Sequence, residues 1–379
     1  MKIIVLGAGL VGGPMAEDLA AESGFEVTVA DINESALERI DSSLFISRIK
    51  RDLSNPAEVK NLVSDYDMVV SAVPGFMGYR TFEAVLLAGK NVIDIAFFPE
   101  DPFQLDDLAK RRNSVAIMDC GVAPGMSNIL IGYVDHLLDE TENCEIYVGG
   151  LPELREWPYE YKAVFSPVDV IEEYTRPARY VVNDLLVTRT ALSDPEYIDF
   201  PEIGTLEAFN SDGLRTLART IDASNMKEKT VRYPGHIDKM KVLRETGFFS
   251  KEPLKIKGVE IRPIDFTSKL LFPMWELKSG QADITVMKIL VEGKKDDRNV
   301  RYLYNLYDRY DQESDVHSMA RVTGYTATVA ARMVAEGLYD REGVSPPEYI
   351  GKSQRCVDFM LKGLKERDVV YKEKIEILK

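Results

Sequence analysis

The first thirteen residues constrain the fold more than any others. Residues 2–6, KIIVL, form an aliphatic run bounded by a turn signal, and they lead straight into Gly7-x-Gly9-x-x-Gly12. Each glycine has its own task in such a pattern. The first permits the tight turn out of the strand, the second lets backbone approach a pyrophosphate, and the third lets the next helix lie close to the sheet. The helical stretch 14–22 then aims its unpaired N–H groups and its positive dipole end at the same point. A second apolar strand, 26–30, ends on Asp31, 19 positions after Gly12. A carboxylate there accepts hydrogen bonds from both hydroxyls of an adenosine ribose and repels a 2′-phosphate. The spacing therefore predicts a dinucleotide site built on Gly7, Gly9, Leu10, Val11, Gly12 and Asp31, with NAD favoured over NADP. No Arg or Lys stands at 32–35 to receive a 2′-phosphate; Arg48 and Lys50 are the cations that could come near.

The alternation continues through the first third. Strands are expected at 44–47, 67–73, 91–96 and 114–120, and helices at 55–63, 80–88 and 105–111. Asn55-Pro56 supplies a cap followed by a helix-starting proline. Strand, crossover helix, strand, repeated, makes an α/β domain: a doubly wound parallel sheet of Rossmann type with helices on both faces. Ligands of such sheets lie beyond the carboxyl ends of the strands. Ala72, Val73, Pro74, Asp94 and Gly121 sit at those ends and join the expected cofactor residues. Beyond Gly125 the rhythm changes. A helix at 126–138 precedes extended stretches at 144–149, 178–182, 185–190, 229–233 and 282–292, with a helix at 213–221. These predict a second, α+β domain with a mixed or antiparallel sheet. The helical segment 316–336 carries small residues at Ala320, Gly324, Ala327, Ala330 and Ala331 and is expected to return to the first domain. The expected division is 1–125 plus 315–379 against 126–314.

Composition agrees with two domains and excludes several partners. A chain of 379 residues exceeds one ordinary core. With 47 basic and 62 acidic side chains the net charge is −15, which argues against nucleic acid and anionic membrane surfaces. No apolar run approaches the roughly 18 residues of a membrane span, and the N-terminus lacks a signal-peptide pattern, so a cytoplasmic protein is expected. Cys120, Cys144 and Cys356 show no metal-ligand or disulfide spacing, so buried thiols and no metal are expected.

Several patches offer chemistry. Residues 119–128 (DCGVAPGMSN) bring Cys120 and Gly121 to a strand's carboxyl end, as a cleft wall or as a stiff turn at a domain boundary. Asp94 ends an apolar strand, where a carboxylate costs energy unless paired or solvated; it is a candidate to touch the nicotinamide ribose or a substrate amine. Residues 207–213 (EAFNSDG) offer Asn210 and Asp212 to a substrate, or Ser211 and Asp212 as a helix cap. Residues 230–236 (TVRYPGH) deliver Arg232 and Tyr233 to a turn before His236. Arg232 can clamp a carboxylate through two parallel hydrogen bonds. His236 can act as a general base near neutral pH, or be structural. The catalytic candidates are thus His236, Asp94 and Cys120, and the substrate candidates Arg232, Asn210, Asp212 and Tyr233. The cluster 272–275 reads as core or interface.

Taken together, these segments resemble the saccharopine dehydrogenase-like family over nearly the whole length. The resemblance rests on GAGLVG at the N-terminus, SAVPG at 71–75, GVAPG at 121–125, SPVDVIEEYTRPARYV at 166–181, EAFNSDGLRTL at 207–217, VRYPGH at 231–236 and TGYTATVAARM at 323–333. Within the family the chain looks most like the L-lysine 6-dehydrogenase branch. The glutamate-forming saccharopine reductases usually carry Asp where this chain has Ala123, and Arg where it has Ser211. Those charges grip the two ends of saccharopine. Losing them removes roughly 1.5–3 kcal/mol for each charge-assisted hydrogen bond. The resemblance implies a homodimeric oxidoreductase acting on CH–NH or CH–NH2 donors, with the second, α+β domain serving substrate binding and dimerisation, and the departures point to lysine, oxidised to 2-aminoadipate 6-semialdehyde. Saccharopine, a carboxylated polyamine or an opine formed by reductive amination are the neighbouring alternatives, and a non-catalytic NAD-binding regulator is the alternative of another class.

Overall fold

The strand KIIVL becomes the centre of a sheet. In the computed structural model, which describes residues 1–163, 167–278 and 280–378, Ile3 to Leu6 are fully buried. The strand Lys2–Leu6 pairs in parallel with Glu26–Asp31 on one side and Met68–Ser71 on the other. The complete order is Gly343–Ser345, Val115–Ile117, Asn91–Asp94, Met68–Ser71, Lys2–Leu6, Glu26–Asp31, Ile46–Lys50, all parallel. A strand buried on both faces must be apolar, which is why the inner strands Lys2–Leu6, Met68–Ser71 and Val115–Ile117 carry aliphatic runs, whereas the edge strand Ile46–Lys50 is largely exposed and reads ISRIK. This is a Rossmann sheet. It belongs to a compact unit of Met1–Leu137 and Ala320–Val370.

Some boundaries differ from expectation. The helix expected at 80–88 is Gly75–Leu87 and starts directly after Pro74. Gly78 imitates a loop signal but serves packing, since a Cβ there would lie 2.7 Å from the Ala96 Cβ. The edge strand Gly343–Ser345 has three residues and no readable periodicity. The long helix Ser318–Ala335 packs by its glycine, since a Cβ on Gly324 would meet Met15 Cγ at 2.8 Å. Arg332 and Arg367 both reach Asp18 of the helix Gly12–Ala20, at 2.8 and 2.7 Å.

The second unit comprises Leu138–Met319 and Tyr371–Lys379. Its mixed sheet runs Glu196–Phe200, Gly204–Asn210, Ala223–Arg232, Glu140–Pro152, Asp283–Lys295, Arg298–Arg309, Tyr371–Ile377, with Ala178–Val182 and Leu185–Arg189 branching from Ala223–Arg232. Among the described strands of this sheet, only the Ala223–Arg232 and Glu140–Pro152 pair is parallel. The helices Pro167–Thr175, His236–Glu245 and Pro263–Trp275 share a core with Phe209 and Tyr161. The cluster expected at 272–275 ends the last of these helices, with Trp275 fully buried in that core and Met274 exposed.

Three expectations are corrected here. The helix Met126–Leu137, expected to open the second domain, belongs to the first unit. The C-terminal segment, assigned from the sequence to the first domain, pairs as Tyr371–Ile377 with Arg298–Arg309 of the second sheet. Its alternation, YKEKIEI, is that of a half-exposed edge strand. The helix expected at 213–221 shrinks to Leu217–Thr220. Arg215 has φ of 52°, and Gly213 lies against Glu228 so closely that a Cβ would sit 2.3 Å from its Cδ. A right-handed helix cannot pass through Arg215 at that φ, and the Gly213 contact only bars a side chain there. Among the described residues, no helix is long and apolar enough to cross a membrane.

Candidate active site

In the first unit the glycine loop separates packing from binding. A Cβ on Gly7, whose φ is +102°, would lie 2.7 Å from the Ala72 carbonyl oxygen, and one on Gly12 would lie 2.1 Å from the Gly7 oxygen. Those two glycines are demanded by the fold itself. Gly9 is different: a Cβ there would meet nothing within 4 Å. Open space at the second glycine is what a pyrophosphate requires. Leu10 is exposed and Val11 is the N-cap of the following helix. Asp31 holds its Oδ2 against the Ala8 N–H at 2.6 Å and its Oδ1 against the Asn33 N–H at 2.7 Å. Lys50 donates to Glu34 at 2.6 Å, and Arg48 to the carbonyls of Ile40 and Asp41. Ala72 N–H pairs with the Leu6 carbonyl, and Val73 and Pro74 lead into the next helix. An acidic acceptor at the strand tip, unfilled space at Gly9 and, among the described residues, no cation bonded to Asp31 fit a dinucleotide.

Asp94 and Cys120 lie in the same unit, both fully buried. Asp94 Oδ2 accepts from the Ala96 N–H at 3.0 Å, and its carbonyl accepts from the Cys120 N–H at 2.8 Å. Burial pushes the Cys120 thiol far up, and the negative charges of Asp94 and Asp119 add to the effect. The thiol therefore stays protonated, which removes the physical basis for a reactive Cys120. The 121–125 turn closes on itself. Gly125 has φ of +138°, a Cβ there would lie 1.9 Å from the Gly121 oxygen, and Met126 N–H reaches that oxygen at 2.8 Å.

The second unit contains a buried polar and aromatic box. Glu228, Thr230 and Arg232 alternate along Ala223–Arg232 and so share one face of the sheet. Arg232 is 2% exposed. Its Nη2 donates to Glu173 Oε2 at 2.7 Å, its Nη1 to the Val231 carbonyl at 2.9 Å, and its guanidinium stands 4.6 Å over the Tyr161 ring. Tyr161 and Tyr174 both contact the His236 ring, and Trp275 closes against Tyr161. The bidentate substrate clamp expected of Arg232 would have to displace Glu173.

His236 is 1% exposed, with Nδ1 2.9 Å from the Tyr159 carbonyl oxygen and Nε2 2.9 Å from the Tyr174 hydroxyl. A carbonyl only accepts, so Nδ1 carries the proton and Nε2 accepts from the Tyr174 O–H. Burial, with the nearby Arg232 charge, lowers its pKa to about 3. A neutral imidazole with both nitrogens engaged does not match the general base expected near neutral pH.

The remaining candidates are held internally. Asn210 donates to Ser193 Oγ and Asp194 Oδ2, both at 2.9 Å, and accepts from the Tyr180 hydroxyl at 2.6 Å. Asp212 takes two bonds from the Arg179 guanidinium at 2.8 Å each and caps no helix. Tyr233 donates to the Pro152 carbonyl at 2.9 Å, beneath Arg155. Ser211 donates to Glu228 Oε2 at 2.7 Å, as does the Gly213 N–H at 3.0 Å. Burial raises the Glu228 carboxyl to about 8.

Tyr161, Glu173, Tyr174 and Glu228 are site residues that the sequence alone did not point to. Glu173 and Tyr174 fall inside the 166–181 motif, whose first residue, Ser166, lies outside the described residues. Their partner Arg232 is 59 positions from Glu173, beyond any local periodicity. The alternation Glu228-x-Thr230-x-Arg232 was the one available signal.

Comparison with known proteins agrees with this division of labour. Residues 3–117 match the model of the saccharopine dehydrogenase NADP binding domain, and residues 121–370 that of the saccharopine dehydrogenase C-terminal domain. The chain belongs to the saccharopine dehydrogenase family. These are oxidoreductases with an NAD(P)-binding domain. Mouse (Mus musculus) mitochondrial alpha-aminoadipic semialdehyde synthase is 23% identical over 283 residues, covering 71% of this chain and 31% of the relative. The chain thus spans about a third of the length of that relative. The NADP(+)-dependent, L-glutamate-forming saccharopine dehydrogenase of Schizosaccharomyces pombe is 22% identical and is matched over 97% of its length, with 95% of this chain covered. Carboxynorspermidine synthase of Vibrio alginolyticus is 22% identical over 91% of each chain. The apo saccharopine dehydrogenase (L-Glu forming) of Saccharomyces cerevisiae shares the fold, with a TM-score of 0.79, 18% identity and 99% of each chain covered.

Proposed function

We propose that the chain is an NAD-dependent oxidoreductase that removes the side-chain amine of an amino acid, lysine before others. The products are 2-aminoadipate 6-semialdehyde and ammonia. The observation that carries the cofactor choice is Asp31, held beside the glycine loop by the Ala8 N–H while Arg48 and Lys50 bind other partners. A free ribose hydroxyl pair suits that carboxylate, and a 2′-phosphate meets like charge. Gly7, Gly9, Leu10, Val11, Gly12, Asp31, Ala72, Val73, Pro74, Asp94 and Gly121 are assigned to hold the dinucleotide. When bound, its nicotinamide supplies the hydride acceptor.

The substrate choice rests on Ala123 and Ser211. Ser211 is neutral and bonded to the buried Glu228. An amino acid with fewer charges than saccharopine suits both positions. In the reaction the amine nitrogen gives up a proton and its carbon a hydride. Water then adds to the C=N bond, and ammonia leaves. Arg232 is assigned to the aromatic box through Glu173, and His236 to orienting the Tyr174 hydroxyl; each is a positioning residue in this reading.

A second reading is supported by the S. pombe relative, which aligns over 95% of this chain and carries the name saccharopine dehydrogenase. A panel of lysine, saccharopine and other amines, each with NAD and NADP and followed at 340 nm, separates the two. Lysine with NAD is expected to give the highest kcat/KM. A higher value for saccharopine, or no rise with lysine, overturns the proposal.

A further inference from the structure

One cavity of the second unit takes no part in the reading above. It has a volume of about 280 Å³, is walled by Pro152, Leu154, Leu277 and Ala282, and carries Lys162 and Glu153 as its charged groups. Lys162 is only 7% exposed, an uncommon place for an ammonium. Its Nζ donates to the Met274 carbonyl at 3.0 Å and meets Glu156 Oε2 at 2.9 Å. An ammonium has three N–H donors, and among the described residues the third has no partner. The volume lies at the small end of ligand sites and matches a molecule of amino-acid size. The apolar walls suit a methylene chain. Lys162 pairs with Glu156 and Glu153 with Arg309, so the group left to a ligand is the third N–H of Lys162, which suits a carboxylate.

We propose that this cavity binds an α-amino acid, with its carboxylate on Lys162 Nζ and its methylene chain along Leu154 and Leu277. The proposal rests on the functional reading above for the substrate class and makes Lys162 a specificity-determining residue of that substrate's head group.

Calorimetric titration of the whole protein with L-norleucine tests it. Norleucine has lysine's head and chain but no terminal amine, so binding is read apart from turnover. Wild type is expected to bind norleucine, and to bind norleucinamide, which lacks the carboxylate, at least about tenfold more weakly. Lys162→Gln is expected to lose about tenfold or more for norleucine, and Lys162→Arg to keep most of the affinity. Leu154→Trp fills the cavity from a wall residue that is 68% exposed, and should weaken norleucine similarly. It decides the matter should Lys162→Gln fail to fold. Equal binding of norleucine and its amide by wild type, no norleucine binding at millimolar concentration, or wild-type affinity in folded Lys162→Gln or Leu154→Trp overturns the proposal. Norleucine binding without lysine oxidation would remove the functional reading and leave this site standing.

Discussion

His236 shows how burial changes a residue's task. An exposed imidazole titrates near 6.5; here burial and Arg232 bring it to about 3. A pH profile of kcat/KM therefore owes no inflection near 6.5 to His236. His236→Gln is expected to lower kcat by loosening Tyr174 while leaving the pH inflections in place; loss of an inflection between pH 6 and 7 would make His236 a base after all. Glu228 is shifted the other way. Its folded carboxyl is raised from about 4.5 to about 8 by burial, so the native state holds a proton that the unfolded chain releases. The stability this gives is fully present below pH 4.5 and is lost as pH rises through 8. The loss is on the order of a few kcal/mol. Glu228→Gln, which keeps the shape without the charge, is expected to flatten urea-unfolding stability between pH 5 and 9; an unchanged slope would show that Glu228 ionises normally.

At the scale of elements, strand signals were more legible than helix starts. The inner parallel strands carry aliphatic runs because both faces are covered, and such runs stand out in any sequence. The helix Gly75–Leu87 was read five residues short because Gly75 and Gly78 look like breakers. Gly78 is there for contact instead. Alanine favours a helix by about 1 kcal/mol over glycine, but its Cβ would stand 2.7 Å from that of Ala96. Overpacking of this kind costs typically 1–3 kcal/mol, so contact wins over propensity. Gly78→Ala is expected to lower thermal stability; a rise in Tm would mean that the helix can move away from Ala96 at little cost. The cofactor half of the candidate site was legible for the same reason as the strands, since its residues follow one another in sequence. The box around Arg232 was not, because Tyr161, Glu173 and Tyr174 reach it from a segment about 60–70 residues away.

At the scale of the molecule, the chain passes between its two units three times, near residues 137, 319 and 370. Composition and the break in alternation after Gly125 predicted two domains. The final strand was misassigned because pairing partners in a mixed sheet depend on tertiary contacts that seven residues do not encode. The two units carry different chemistry: one holds the open glycine loop with Asp31, the other the buried ion pairs and the amino-acid-sized cavity. The central claim is that lysine gives its hydride from the carbon bearing the side-chain amine. Lysine deuterated at that carbon, incubated with the protein and NAD, tests it most directly by mass spectrometry of the reduced cofactor. The account predicts one deuterium per reduced nicotinamide; reduced cofactor without deuterium, or none formed at all, would contradict it.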